Sequence, residues 1–169
     1  MARTPRPPKP KICPFVVVCD SREQAPFAFQ NIEGVDVVRT VTRGLPTGDY
    51  SIAGFEDRIA IERKSVGDFY MSIGAERERF EREMIRLQQM EFSAVVIEGI
   101  VEDRPPTVQM GVKSATHTML SWAVKYGVHF YECHHGRREA ELKTFHLLRH
   151  FWKQVTEEKK AVLKELLAV

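Results

Sequence analysis

The stretch Asp49-Tyr50-Ser51-Ile52-Ala53-Gly54-Phe55-Glu56-Asp57-Arg58-Ile59-Ala60-Ile61-Glu62-Arg63-Lys64 reads as two strands joined by a turn over Gly54 to Asp57. Apolar and β-branched residues fill its arms and a glycine opens the turn, so the pair is predicted to be a hairpin. Side chains alternate faces along a strand, which places Glu62 and Lys64 on one side, about 6–7 Å apart along the backbone. The hairpin can carry Asp49 to the same place. Just before it, Gly44-Leu45-Pro46-Thr47-Gly48 is a loop.

Upstream, Phe15-Val16-Val17-Val18-Cys19 is a buried strand that ends in the polar turn Asp20-Ser21-Arg22-Glu23, and Val35, Val37, Val38 and Val41 suggest a second strand. Downstream, Glu76 to Glu91 has helical spacing, with Phe80, Met84 and Leu87 on one face. Ser93 to Gly99 is a further apolar strand. A helix with the stripe Ala115, Met119, Trp122, Ala123 and Tyr126 follows, ended by Gly127, and Val128 to Cys133 is the last strand. Glu139 to Val155 is helical again and can reach Leu167. The expected fold class is α/β: a central mixed sheet flanked by helices on both faces, its early strands a meander in chain order.

The 169 residues suit one domain, and 43% hydrophobic with 28% charged residues excludes disordered and fibrous classes. No apolar run approaches the roughly 18–20 residues of a membrane span, and the proline-broken start does not read as a secretory signal. The expected location is the cytoplasm or nucleoid, or the nucleus in a eukaryote. Cys13, Cys19 and Cys133 read as reduced thiols, and the Cys133-His134-His135 run lacks zinc-site spacing. A net charge of +2 identifies no partner. Residues 1–13 are expected to form a basic, proline-rich flexible tail, either a solubilising leader or an arm touching phosphates. Residues 14–155 form the domain, and 156–169 a C-terminal helical extension beginning where Glu157-Glu158-Lys159-Lys160 interrupts the apolar pattern.

Asp49 and Glu62, joined by Asp20 and Glu23 from the end of the first strand, make a cluster of hard oxygen donors that suits Mg²⁺ or Mn²⁺ better than zinc. Lys64 beside them can hold a phosphate or orient a water, which is the chemistry of phosphodiester hydrolysis. A Glu-x-Lys on a strand is by itself usually a solvated face; Asp49 and the strand-end acids argue for a site.

Together, Asp20-Ser21-Arg22-Glu23, Leu45-Pro46-Thr47-Gly48-Asp49-Tyr50 and Ile61-Glu62-Arg63-Lys64-Ser65-Val66-Gly67-Asp68-Phe69 resemble the nuclease domain of the XPF-type structure-specific endonucleases. The likeness covers roughly residues 14–155. It implies a restriction-endonuclease-like fold and metal-dependent cutting of DNA at branched sites such as flaps, forks or splayed arms. It also implies roles. Asp49 and Glu62 would be metal ligands, with the Arg63 carbonyl between them, and Asp20 a further ligand or a support for one. Lys64 would meet the phosphate and water, while Glu23 and Asp68 would orient the site. Arg22 and Arg63 would meet DNA phosphates or pair with those acids.

Relatives of this type usually add a tandem helix-hairpin-helix module, for which the 14 residues after Val155 leave no room. The expectation is therefore a nuclease domain acting as a homodimer or with a DNA-targeting partner. The alternative is a catalytically silent DNA-binding or scaffold subunit of a nuclease complex.

Overall fold

In the computed structural model, which describes residues 9–167, the early β-branched run becomes β1 (Ile12–Asp20) at the centre of one half of the sheet. It is followed by β2 (Val37–Arg43), β3 (Tyr50–Ile52), β4 (Ile59–Ser65), α1 (Val66–Ile73), α2 (Arg77–Leu87), β5 (Phe92–Glu98), α3 (Val112–Tyr126), β6 (His129–Glu132) and α4 (Gly136–Leu166). The six strands lie in the order β2-β1-β3-β4-β5-β6, a mixed α/β sheet as expected. Of the basic tail, residues 1–8 lie outside the described residues, as do 168 and 169 of the extension.

The expected meander needs correction. β2 is not interposed between β1 and β3; it runs parallel to β1 on the outer edge, while β1, β3 and β4 form the antiparallel run. The connection from β1 to β2 carries Phe27, Phe29 and Ile32, all buried against the α4 face. Burying those side chains draws the chain across that face before it returns, and a chain that crosses a face re-enters parallel.

Alternation along the strands sorts the two cores. On one face Phe15, Val17, Tyr50, Ile59, Ile61 and Val96 pack under Phe145, Leu148 and Phe151 of α4. On the other, Ala60, Val95 and Ile97 pack under α1, α2 and α3 through Phe69, Phe80, Met84 and Trp122. The parallel pairs β4/β5 and β5/β6 are linked by helices on this second face. α4 runs unbroken through Gln154, but Val155 is its last buried residue, so the outer turns project from the body. Among the described residues no helix is long and apolar enough to cross a membrane.

α1 is a helix that the sequence reading did not separate from the motif. Ser65 caps it by accepting from the Asp68 amide at 3.1 Å, and Phe69, Tyr70 and Ile73 bury its inner face. The acid three residues after a serine was the available signal.

Candidate active site

Glycine decides where Asp49 sits. Gly48 has φ +73°, and a Cβ there would lie 3.1 Å from Ala60 Cβ and 3.2 Å from the Ile61 carbonyl, so only glycine lets the turn rest on β4. The Asp49 amide then donates to the Ile61 carbonyl at 2.8 Å, and the Asp20 amide to the Asp49 carbonyl at 2.8 Å. Asp49 Oδ2 accepts the Arg63 amide at 2.7 Å. On the same face of β4, Lys64 Nζ stands 2.7 Å from Glu62 Oε1 and 5.1 Å from the centre of the Phe80 ring. Asp20, Arg22, Glu23, Asp49, Glu62, Arg63, Lys64 and Asp68 all line one open cleft of about 510 Å³. Every residue singled out for the site is brought to it.

The carboxylates are not equivalent. Burial, and next the charge of Glu62, push the Asp49 pKa up to about 8. Burial also raises Glu62, against the pull of Lys64. Burial alone would lower Lys64, but Glu62, Asp49 and Glu83 outweigh it and keep the ammonium charged. With two acids facing one lysine, their repulsion is relieved by a proton held on the pair, which a bound cation would displace. Among the described residues no three carboxylate, histidine or cysteine groups stand close enough to encircle an ion. The donor set suits Mg²⁺ nevertheless, since that ion keeps several waters and takes one or two carboxylates.

Asp20 is held differently. Its Oδ1 accepts from the Arg22 amide and Nε, and its Oδ2 from Arg22 Nη2 and the Leu45 amide, at 2.6–2.9 Å. Four hydrogen bonds use the four lone-pair positions of a carboxylate. The Arg22 guanidinium, with the two amides, holds the Asp20 pKa at about 2 against burial. Of the two places expected for Asp20, ligand or support, this geometry is that of a support. It ties the end of β1 to the Leu45 loop.

Arg63 faces the opposite side of β4 from Glu62 and Lys64, as alternation requires. Its guanidinium forks onto Glu23 at 2.9 and 2.9 Å and approaches Glu98 at 3.2 Å, and Arg137 of α4 reaches Glu98 at 2.8 Å. This fork is the acid pairing, one of the two partners expected for Arg63. Arg22 also forks onto an acid, yet its side chain stays 71% exposed at the cleft mouth. Asp68 is spent at the helix cap, its carboxylate 2.7 Å from Ser65 Oγ.

One residue of the cleft was missed from sequence. Glu83 of α2 lines the cleft and accepts from Thr47 Oγ1 and, at 3.3 Å, from the Gly48 amide. Nothing in the spacing of α2 marks Glu83 among its other acids. The basic residues at the start of α4 are committed to the chain itself: Arg137 donates to the Ala25 and Pro26 carbonyls and Arg138 to those of Gln30 and Asn31.

A family model described as the ERCC4 domain matches residues 19–142, which span the whole site. The chain belongs to the ERCC4 domain family. Among solved structures, this ERCC4 domain is similar to XPF from Aeropyrum pernix, with TM-score 0.60 and 23% identity over 79% of this chain and 64% of that one. It is similar also to XPF from Aeropyrum pernix in complex with DNA, with TM-score 0.59 and 21% identity over 85% and 66%. The chain thus spans just under two thirds of those chains, and the likeness establishes the expected fold. Among curated proteins, none matches.

Proposed function

We propose that this ERCC4 domain hydrolyses phosphodiester bonds of DNA with Mg²⁺ or Mn²⁺, at branched sites such as flaps, forks or splayed arms. The observation that carries the reading is the Asp49 and Glu62 pair beside Lys64, opening onto a cleft of about 510 Å³. The solved relative titled as a complex with DNA supports DNA as the substrate.

Asp49 and Glu62 would hold the ion, the Arg63 amide fixing the direction of the Asp49 carboxylate. The chemistry such an ion supplies when bound is activation of water and neutralisation of charge at phosphorus. Lys64 is steered by Glu62 and by the Phe80 ring, and its ammonium would bind the scissile phosphate or orient the attacking water. The exposed guanidinium of Arg22 would meet a neighbouring phosphate at the cleft mouth. Asp20, Glu23 and Asp68 would act from behind, holding Arg22, Arg63 and the start of α1. A second copy of the chain or a DNA-targeting partner would assist, in the cytoplasm or nucleoid, or the nucleus in a eukaryote.

Labelled 3′-flap, splayed-arm and linear duplex DNA, offered to the wild type and to Asp49→Asn, test the reading. Metal-dependent cutting of the branched substrates that disappears in the variant is expected. Equal cutting of linear duplex would remove the branched preference, and DNA binding without cutting would favour a silent scaffold subunit.

A further inference from the structure

Glu83 belongs to none of the motifs above, yet it is the carboxylate through which α2 reaches the turn ahead of Asp49. Its side chain is 20% exposed and stands between two turns of helix pinned by the buried Phe80, Met84 and Leu87. Oε1 accepts from Thr47 Oγ1 and from the Gly48 amide, while Oε2 accepts from Arg86. Thr47 is buried, at 3% exposure, so its hydroxyl has no access to water as a substitute partner. The turn is thereby held from two sides: Gly48 rests on Ala60 and Ile61 of β4, and Glu83 grips Thr47 and Gly48 from α2. A turn held on one side only can pivot. A turn held on both presents the next residue at a set angle, and the next residue is Asp49.

We infer that Glu83 is a positioning residue for Asp49, acting as a hydrogen-bond acceptor that fixes the Thr47-Gly48 turn and so the angle at which the Asp49 carboxylate faces Glu62 and Lys64. The inference deepens the nuclease reading and rests on it. The ion pair with Arg86 is secondary, because that guanidinium is half exposed and exchanges readily for water. An acceptor oxygen at the Oε1 position is what the turn needs, not its charge, so a glutamine that keeps an oxygen there preserves the turn. An alanine does not.

The test compares Glu83→Ala, Glu83→Gln, Thr47→Val and Arg86→Ala in single-turnover cleavage of splayed-arm DNA with Mn²⁺. Amide hydrogen exchange at Gly48 and Asp49 is measured in the metal-free proteins, and DNA affinity in EDTA. Glu83→Ala and Thr47→Val are each expected to slow cleavage by about 10–100-fold, the loss that a small misplacement of a reacting group produces. Exchange at Gly48 should quicken in the same two variants, with DNA affinity unchanged. Glu83→Gln and Arg86→Ala should stay within about threefold of wild type in both readouts. The Glu83→Ala/Thr47→Val double variant should be no slower than Glu83→Ala, which already removes the Thr47 contact.

Wild-type cleavage and unchanged Gly48 exchange in Glu83→Ala would overturn the inference. Equal losses in Glu83→Ala and Glu83→Gln would also overturn it, assigning the effect to charge. If the wild type itself does not cut, the nuclease reading fails, and Gly48 exchange still decides whether Glu83 holds the turn.

Discussion

Arg63 forks onto Glu23, a residue 40 positions earlier in the chain, with Nε and Nη2 each 2.9 Å from a carboxylate oxygen. The Glu23 side chain is 4% exposed and that of Arg63 14%, so the pair is shielded from water. Arg63 pulls Glu23 below the usual carboxylate range despite its burial, and Glu23 in turn raises Arg63. Glu98 and Arg137 extend the pair to β5 and α4, so one line of alternating charge ties the turn after β1 to three other elements.

Breaking that pair on one side strands a buried charge. Arg63→Met is expected to cost about 3–5 kcal/mol of unfolding free energy, as removal of one partner from a buried ion pair does. Glu23→Gln/Arg63→Met should recover much of the loss. Urea unfolding of both variants checks this, and a double variant as unstable as the single one would show that the charge pairing is not what stabilises the turn.

The grip of Arg22 on Asp20 has an acid signature. The folded-state pKa of Asp20, about 2, lies below the ordinary value of 3.8, so its contribution is complete above the ordinary carboxylate range and is lost as pH falls towards 2. The contribution is about 1–2 kcal/mol, reduced from the full shift because Arg22 is mostly in water. Asp20→Asn should be less stable at pH 7 and should lose less stability between pH 4 and 2. Parallel acid limbs for the two proteins would refute it.

Asp49 has the opposite sign. With a folded pKa of about 8, above the ordinary carboxylate value, the folded protein binds more protons than the unfolded chain across the interval between. Stability of the metal-free protein therefore falls as pH rises from about 4 to about 8. Asp49→Asn keeps an oxygen for the Arg63 amide and carries no charge, so it should melt higher than the wild type at pH 9 in EDTA while losing cleavage. Mg²⁺ or Mn²⁺ should raise the melting temperature of the wild type and leave the variant little changed. A wild type that melts at the same temperature at pH 6 and pH 9, without metal, would sink the account.

Two glycines with positive φ should respond unequally to alanine. Gly54, at φ +85°, has nothing within 4 Å of an added Cβ, so Gly54→Ala meets only the left-handed backbone, about 1 kcal/mol. Gly48→Ala meets Ala60 and the Ile61 carbonyl as well. It should cost about 1–3 kcal/mol and, by lifting Asp49 from β4, most of the cleavage rate. Thermal melting and single-turnover cleavage of both variants decide it; equal effects would mean that the turn yields without moving Asp49.

The hairpin, the spacing of Glu62 and Lys64, and the approach of Asp49 were legible because they depend on strand alternation and one short turn. The partner of Arg63 was left open between phosphate and acid, because the pairing with Glu23 joins residues 40 positions apart. α1 was hidden inside the motif: at eight residues it is too short for its apolar spacing to stand out, and its Ser65 cap was the one local mark. The position of β2 was not legible, because its neighbour is chosen by Phe27, Phe29 and Ile32 burying under α4, a contact made across more than a hundred residues.

What belongs to the chain as written is the list of chemically competent groups and the alternating pattern that sends Glu62 and Lys64 to one face and Arg63 to the other. Local stereochemistry is enough for that. Which of those groups remain free for chemistry belongs to the packed molecule. Asp20 and Glu23 stand in the same motifs as Asp49 and Glu62, but each is paired with an arginine, and Asp68 is taken up at the Ser65 cap. Asp49 and Glu62 are left with each other and one lysine. The difference is set by distances between segments far apart in sequence, and Coulomb energy depends on those distances and on burial, neither of which a linear pattern contains.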